Sequence, residues 1–183
     1  MRNSILLAPH NDDEALFGSY TIMRDKPQVY IVYDSYVQVT RGYYFADKET
    51  RRNESIHACD ILGVWPPIFL GLNDEHTDYQ EVYNAIKNMK TPEDYFVFAP
   101  KHEKEGNRHH NLVALACEEI FASGNLIKYL TYTHQGKSTS DKVVSHTPQM
   151  ANLKQLALAC YQSQLKISDC RPHFIRSQEE YYA

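Results

Sequence analysis

The sequence predicts an α/β protein: a single Rossmann-like three-layer sandwich on a mostly parallel sheet, occupying residues 1–183 as one domain. Three observations carry this. Strand and helix signals alternate from the first residues onward, and a β-α-β-α order demands crossover connections, hence parallel strands covered on both faces. The strand segments are short apolar runs ended by proline or polar residues, the pattern of buried strands. A chain of 183 residues that is 43% hydrophobic and 23% charged has the size and balance of one globular domain with a full core.

Residues 4–8 (SILLA) form the first strand, which Pro9 stops. Residues 12–24 follow as a helix with Leu16, Ser19, Tyr20 and Met23 on one face, closed by Pro27. The β-branched and aromatic run 28–33 (QVYIVY) is the second strand. From 34 to 47 the chain is polar and aromatic (DSYVQVTRGYYFAD) and reads as a long loop. A helix over 48–62 carries Ile56, Cys59 and Leu62 inward and ends at Gly63, a natural C-terminal stop. Residues 67–70 are the third strand and 79–89 the third helix. The fourth strand, 95–99 (YFVFA), is halted by Pro100. After a polar loop, 111–123 is a helix with Val113, Cys117, Ile120 and Phe121 inward and Gly124 at its end. A fifth strand covers 126–133 and a sixth 142–145. Thr147-Pro148, an N-cap followed by proline at the first helical position, opens a last helix running to about Gln164. No internal repeat or low-complexity linker interrupts this order.

Charge and hydropathy exclude several classes. Lys+Arg 19 against Asp+Glu 23 gives a net charge of −4, which argues against a domain held on nucleic acid by phosphate neutralisation. The apolar runs are far short of the roughly 20 residues that span a bilayer. The amino terminus meets acid at once, without a secretory h-region, so the cytoplasm is the expected compartment. Cys59, Cys117, Cys160 and Cys170 show no CxxC spacing and read as small hydrophobes in a reducing compartment rather than a disulfide frame. Fourteen tyrosines beside one tryptophan are unusual, and suit both half-buried packing and stacking on sugar rings or bases.

In open parallel sheets, ligands sit beyond the carboxyl ends of the strands where strand order reverses. For the order 3-2-1-4-5, the first and fourth strands are neighbours at that point. The first is followed by Pro9-His10-Asn11-Asp12-Asp13-Glu14, the fourth by a loop ending Gly106-Asn107-Arg108-His109-His110-Asn111. His10 and Asp13 are three apart where a strand turns into a helix, so both can face one point. With His110 they make a set of three N/O ligands with an open position, the pattern of a catalytic zinc site. Asp12 points elsewhere and is free to take a proton from water whose pKa the metal lowers to roughly 7. Taken alone, the acids at 12–14 also read as a capping cluster at a helix start, and His109-His110 as solvated surface. The placement of both clusters at neighbouring strand ends favours the ligand reading.

These residues carry a resemblance. Ala8-Pro9-His10-Asn11-Asp12-Asp13-Glu14 resembles the (A/S)-x-H-P-D-D-E signature of the LmbE/PIG-L family of zinc-dependent N-acetylglucosaminyl deacetylases. Arg51-Arg52-Asn53-Glu54 with Leu62-Gly63, the run Leu70-Gly71-Leu72-Asn73-Asp74, and the late Lys154…Tyr161-Gln162-Ser163-Gln164 resemble its further motifs in order and spacing. The resemblance implies zinc ligands at His10, Asp13 and His110, a general base at Asp12, and hydrolysis of an N-acetyl group from an amino sugar or its conjugate. Two positions depart from the family. Its proline after the first histidine is Asn11. Its second motif, H-x-[DN]-H, reads Asn107-Arg108-His109-His110, which leaves the general acid either to Asp12 or to His109 in a shifted position.

Arg51 is expected to reach an anionic or hydroxyl group of the substrate, or else to pair with Glu54 on its own helix. The 34–47 loop, with Tyr36, Arg41, Tyr43 and Tyr44, is the candidate for the sugar-binding wall, with surface packing of those tyrosines as the alternative, and Asn107 is a further substrate-binding candidate. The chain is shorter than many family members, which leaves room for a second subunit of a homo-oligomer to complete the pocket. Two other classes compete: an inactive member kept as a sugar-binding module, and a receiver-like magnesium-binding domain. The latter lacks a convincing phosphoacceptor, since the third strand ends Leu70-Gly71-Leu72, and has no use for His10 and His110.

Overall fold

Leu6 and Leu7 are consecutive, both fully buried, and face opposite ways. Both belong to β1 (Asn3–Ala8), and their opposed burial means that this strand is covered on each side. The computed structural model describes residues 3–34, 37–38, 45–73, 75, 77–89, 95–131, 142–166, 171, 174 and 180–183. Among these, β2 (Gln28–Tyr33), β5 (Ile68–Leu72), β6 (Tyr95–Pro100) and β7 (Leu126–Tyr129) join β1 in parallel, and β8 (Lys142–Val143) and β9 (Tyr181–Tyr182) extend the sheet antiparallel. The order is β5-β2-β1-β6-β7-β9-β8. Its parallel part is the expected 3-2-1-4-5 order, with β1 flanked by β2 and β6.

Two helical layers cover the sheet. On one face, α1 (Asp13–Phe17), α2 (Ser19–Asp25), α3 (Lys48–Leu62) and α6 (Pro148–Ala159) pack Leu16, Ile22, Cys59 and Leu158 against Leu6, Ala8, Val29 and Ile31. On the other, α4 (Tyr79–Lys87) and α5 (Arg108–Ile120) set Val82, Ile86, Val113 and Cys117 against Ile5, Leu7, Val32 and Val97. Each such aliphatic side chain contributes roughly 1.5–3 kcal/mol by leaving water. The sheet is therefore held from both sides by the alternation along β1, β2 and β6.

Several expectations are corrected. The helix expected over 12–24 is two, α1 and α2, broken at Gly18, where the chain passes so close to β1 that a side chain would lie 2.7 Å from the Leu6 methyl Cδ1. The loop expected over 34–47 contains two short strands, β3 (Val37–Gln38) and β4 (Phe45–Ala46), paired antiparallel. The helix expected over 111–123 begins earlier, at Arg108, because Asn107 caps it by accepting a hydrogen bond from the His109 N–H at 2.8 Å. It ends at Ile120, where Phe121 is already extended. The last helix breaks after Ala159, and α7 (Gln162–Leu165) starts afresh. The expected helix starts at Lys48 and Thr147-Pro148 are found, with the Asp47 and Thr147 side chains accepting from Thr50 N–H and Met150 N–H. Gly63 ends α3 at φ 76, the left-handed value glycine tolerates.

Strand β9 was not expected, and its neighbourhood explains why it forms. Glu180 is buried and accepts both from the Tyr20 N–H at 2.9 Å and from the fully buried Lys154 ammonium at 2.8 Å. Lys154 also donates to the Leu16 carbonyl at 2.8 Å. This ion pair ties the carboxyl end of the chain to α1, α2 and α6. Cys59 and Cys117 are buried free thiols, and burial pushes both thiol pKa values up. No helix among the described residues is long and apolar enough to cross a membrane.

Candidate metal centre

Because β1 is a direct neighbour of β6, the segments leaving these two strands at their carboxyl ends lie side by side, the place where ligands sit in open parallel sheets. His10 stands two residues beyond β1, Asp13 begins α1, and His110 lies in the first turn of α5. One ligand atom from each lies within 4.8 Å of the others. The Asp13 Oδ2 atom is 3.2 Å from His10 Nδ1 and 3.1 Å from His110 Nε2, and the two imidazole nitrogens are 3.3 Å apart. Asp13 Oδ2 also accepts from the His10 backbone N–H at 2.8 Å, closing the turn.

Asp13 and His110 are buried, while His10 keeps a partly open edge. Burial alone would raise the Asp13 pKa, but the charges and hydrogen bonds of His110 and His10 outweigh it and hold the carboxyl below its ordinary range. Burial lowers the His10 pKa, against the opposing pull of Asp13. The other Asp13 oxygen, Oδ1, is buried without a hydrogen-bond partner among the described residues. A buried carboxylate oxygen with no donor, beside two imidazole nitrogens, is a donor set that suits a divalent cation. The residues fit a metal.

Asp12 adjoins this cluster but is built differently. Its backbone has φ 146 and ψ −27, a positive-φ conformation rare for any residue but glycine. Its carboxylate Oδ2 is 3.3 Å from the Arg51 Nη2. Burial raises the Asp12 pKa well above the ordinary carboxylate value, Arg51 pulls it down, and the charges of Asp13, Glu14 and Glu54 add to the rise. Two adjacent carboxyls are thus driven in opposite directions, Asp13 to hold charge and Asp12 to hold a proton more readily.

Arg51 does not pair with Glu54. Its guanidinium is buried, donating to the Asn11 carbonyl at 2.6 Å as well as facing Asp12, while Glu54 accepts from the Ser163 N–H at 2.7 Å and hydroxyl at 2.5 Å. Asn11, where the family pattern has proline, is fully buried, and its amide donates to Ser55 Oγ at 3.4 Å.

His109 is half-buried with Nδ1 3.0 Å from His10 Nε2, the ring nitrogen turned away from Asp13. Asn107 is exposed and engaged as the cap of α5. Tyr36, Arg41, Tyr43 and Tyr44 lie outside the described residues. Tyr33 was not singled out from the sequence, and Tyr161 was named there only as part of the late motif. Tyr33, last in β2, stacks on His10 with centroids 5.5 Å apart and lies 4.8 Å from the His109 ring. Tyr161 donates a short hydrogen bond to Glu14. For Tyr33 the signal was available, since it ends the strand beside β1. A separate cavity of about 970 Å³ opens at the amino ends of β1 and β2, lined by Tyr30, Trp65 and Ile68, and contains none of these residues.

Fold and cluster together define a class: a Rossmann-like α/β sandwich carrying a His-Asp-His site at the carboxyl end of its parallel strands. The family model described as PIG-L, GlcNAc-PI de-N-acetylase, matches residues 5–121. The chain belongs to this family. Among solved structures it is similar to an N,N'-diacetylchitobiose deacetylase from Pyrococcus horikoshii, with 20% identity and TM-score 0.71 over 93% of this chain and 73% of that one. It is also similar to GalB, a 4-carboxy-2-hydroxymuconate hydratase from Pseudomonas putida, with 15% identity and TM-score 0.67 over 96% of this chain and 84% of that one. A third likeness is to a conserved protein from Thermus thermophilus, with 20% identity and TM-score 0.64 over 94% of this chain and 85% of that one. No curated protein sequence matches significantly.

Proposed function

We propose that this protein is a zinc-dependent N-deacetylase that removes an N-acetyl group from an amino sugar or a small amino-sugar conjugate. The reading is carried by one juxtaposition: three ligand atoms within 4.8 Å at the carboxyl end of the sheet, with a separately held, buried carboxylate, Asp12, next in sequence. Family membership supports hydrolysis of an amide. The fold alone does not choose the reaction, because a protein named a hydratase shares it.

His10, Asp13 and His110 would hold the ion, and His109 would orient His10 from its outer nitrogen. Bound there, zinc polarises an acetyl carbonyl and lowers the pKa of water to roughly 7. Asp12 takes the proton of the attacking water and returns it to the leaving amine, a double duty that its raised pKa suits. Arg51 would favour the ionised form of Asp12 before it takes the proton and after it returns it, and would meet substrate oxygens at the buried edge of the site. Tyr36 and Tyr43, on the segment leaving β2, are proposed for the sugar wall together with Asn107. We further propose that residues 1–183 act as one domain, in the cytoplasm, on a small-molecule substrate and without nucleic acid.

The test is acetate release by zinc-loaded protein from N-acetylglucosamine and N,N'-diacetylchitobiose, with a panel of N-acetylhexosamine conjugates beside them. Turnover that chelation abolishes and zinc restores is expected. Stoichiometric zinc with no acetate from any of these amides would overturn the deacetylase reading and favour a binding module.

A further inference from the structure

Of the three acids at 12–14, the proposed chemistry uses Asp12 and Asp13; Glu14 is left over, fully buried and without a role. Its two oxygens are both engaged. Oε2 accepts from the Asp12 backbone N–H at 3.0 Å, and Oε1 accepts a short hydrogen bond from the Tyr161 hydroxyl, which stands between α6 and α7. Ser55 on α3 lies 3.5 Å from the same hydroxyl. The peptide that Glu14 grips, Asn11–Asp12, is the one leading into the Asp12 N–Cα bond, about which φ is 146. On the other side of that peptide, the Asn11 carbonyl is held by Arg51 at 2.6 Å. An Asp in this conformation persists only where its surroundings over-determine it, and relaxation of φ would redirect the side chain.

We propose that Glu14, fixed by Tyr161, is a positioning residue that holds Asp12 in its positive-φ turn and so aims the Asp12 carboxylate at the site. The proposal deepens the deacetylase reading, on which it rests for what Asp12 does there. The strain at Asp12 belongs to the folded chain itself, and it can be read without substrate or metal. Glycine tolerates φ 146 and alanine does not, so the stability order of Asp12→Gly and Asp12→Ala reports whether the turn is enforced.

The experiment is thermal unfolding of chelated protein carrying Asp12→Gly or Asp12→Ala, each alone and combined with Glu14→Ala or Glu14→Gln. With Glu14 present, Asp12→Gly is expected to melt roughly 2–4 °C above Asp12→Ala. Glu14→Ala should abolish or reverse that order, and Glu14→Gln, which keeps an acceptor for the N–H, should restore it. If the glycine advantage is the same with and without Glu14, the proposal is overturned. Should Glu14→Ala not fold, Tyr161→Phe carries the comparison: a reduced glycine advantage supports the clamp, an unchanged one overturns it. The outcome is separable from the deacetylase reading. An enforced turn without acetate release keeps the clamp and sinks the activity; Asp12-dependent acetate release without an enforced turn does the reverse.

Discussion

His10 carries its two ring nitrogens in different company: Nδ1 faces Asp13 and His110, and Nε2 faces His109 Nδ1 at 3.0 Å. A histidine fixed in this way presents one nitrogen to a cation while the other is oriented by a neighbour, and such neighbours typically govern metal affinity roughly 10–100-fold. His109→Ala should therefore weaken zinc binding by about that factor, measured by competition with a chelating dye, while saturating zinc restores turnover. Loss of turnover that excess zinc cannot restore would instead give His109 the proton to the leaving group. At this scale the His10, Asp13 and His110 cluster was legible, because His10 and Asp13 share a face by spacing and His110 follows a neighbouring strand. The partners of Arg51 were not. Its i,i+3 neighbour Glu54 is taken by Ser163, far along the chain, and no local spacing announces such a contact.

Gly18 divides what looks like one amphipathic helix. The apolar face of Leu16, Tyr20 and Met23 is continuous, and a single glycine in a helix costs only about 1 kcal/mol, so the pattern gives no reason to break it. What the pattern does not show is tertiary: the chain here sits so close to β1 that a Cβ on residue 18 would meet Leu6 Cδ1 at 2.7 Å and the Glu14 carbonyl at 3.0 Å, so the position needs glycine. Gly18→Ala should cost about 1–3 kcal/mol by overpacking this contact, read as a lower urea midpoint with unchanged m-value. A neutral substitution would mean that α1 and β1 can separate freely. Strand β9 was hidden for a similar reason, since two tyrosines at the chain end gain strand character only from what anchors them. Lys154→Met, which strands Glu180 as a buried unpaired carboxylate, should cost about 3–5 kcal/mol, and Lys154→Met with Glu180→Leu should recover part of it. Equal losses in the single and double variants would show that the ion pair contributes nothing beyond packing.

Across the whole molecule, the strand order brings two segments far apart in sequence together, and the His10-Asp13-His110 cluster exists only because the chain folds. That much followed from the alternation of strands and helices, since a parallel sheet with β1 in the middle places the two clusters together. The substrate did not follow, because the tyrosines that would line it lie on a segment whose composition specifies polarity and aromaticity but no geometry. Zinc held at the proposed site would stabilise the folded chain over the unfolded one, so chelation should lower the melting temperature of the wild type. His110→Ala, already deprived of a ligand, should show little such drop; an equal drop in both would place the ion elsewhere.

The division of labour between ligands and base is tested most directly by measuring zinc content and acetate release together in His10→Ala, Asp13→Ala, His110→Ala and Asp12→Asn. The three ligand variants should lose zinc and turnover in step. Asp12→Asn should keep stoichiometric zinc and a folded protein while kcat falls by roughly 10²–10⁴, the usual worth of a positioned base. Zinc lost in Asp12→Asn but retained in Asp13→Ala would reverse the two carboxylates, and zinc with full turnover in all four would place the active site elsewhere.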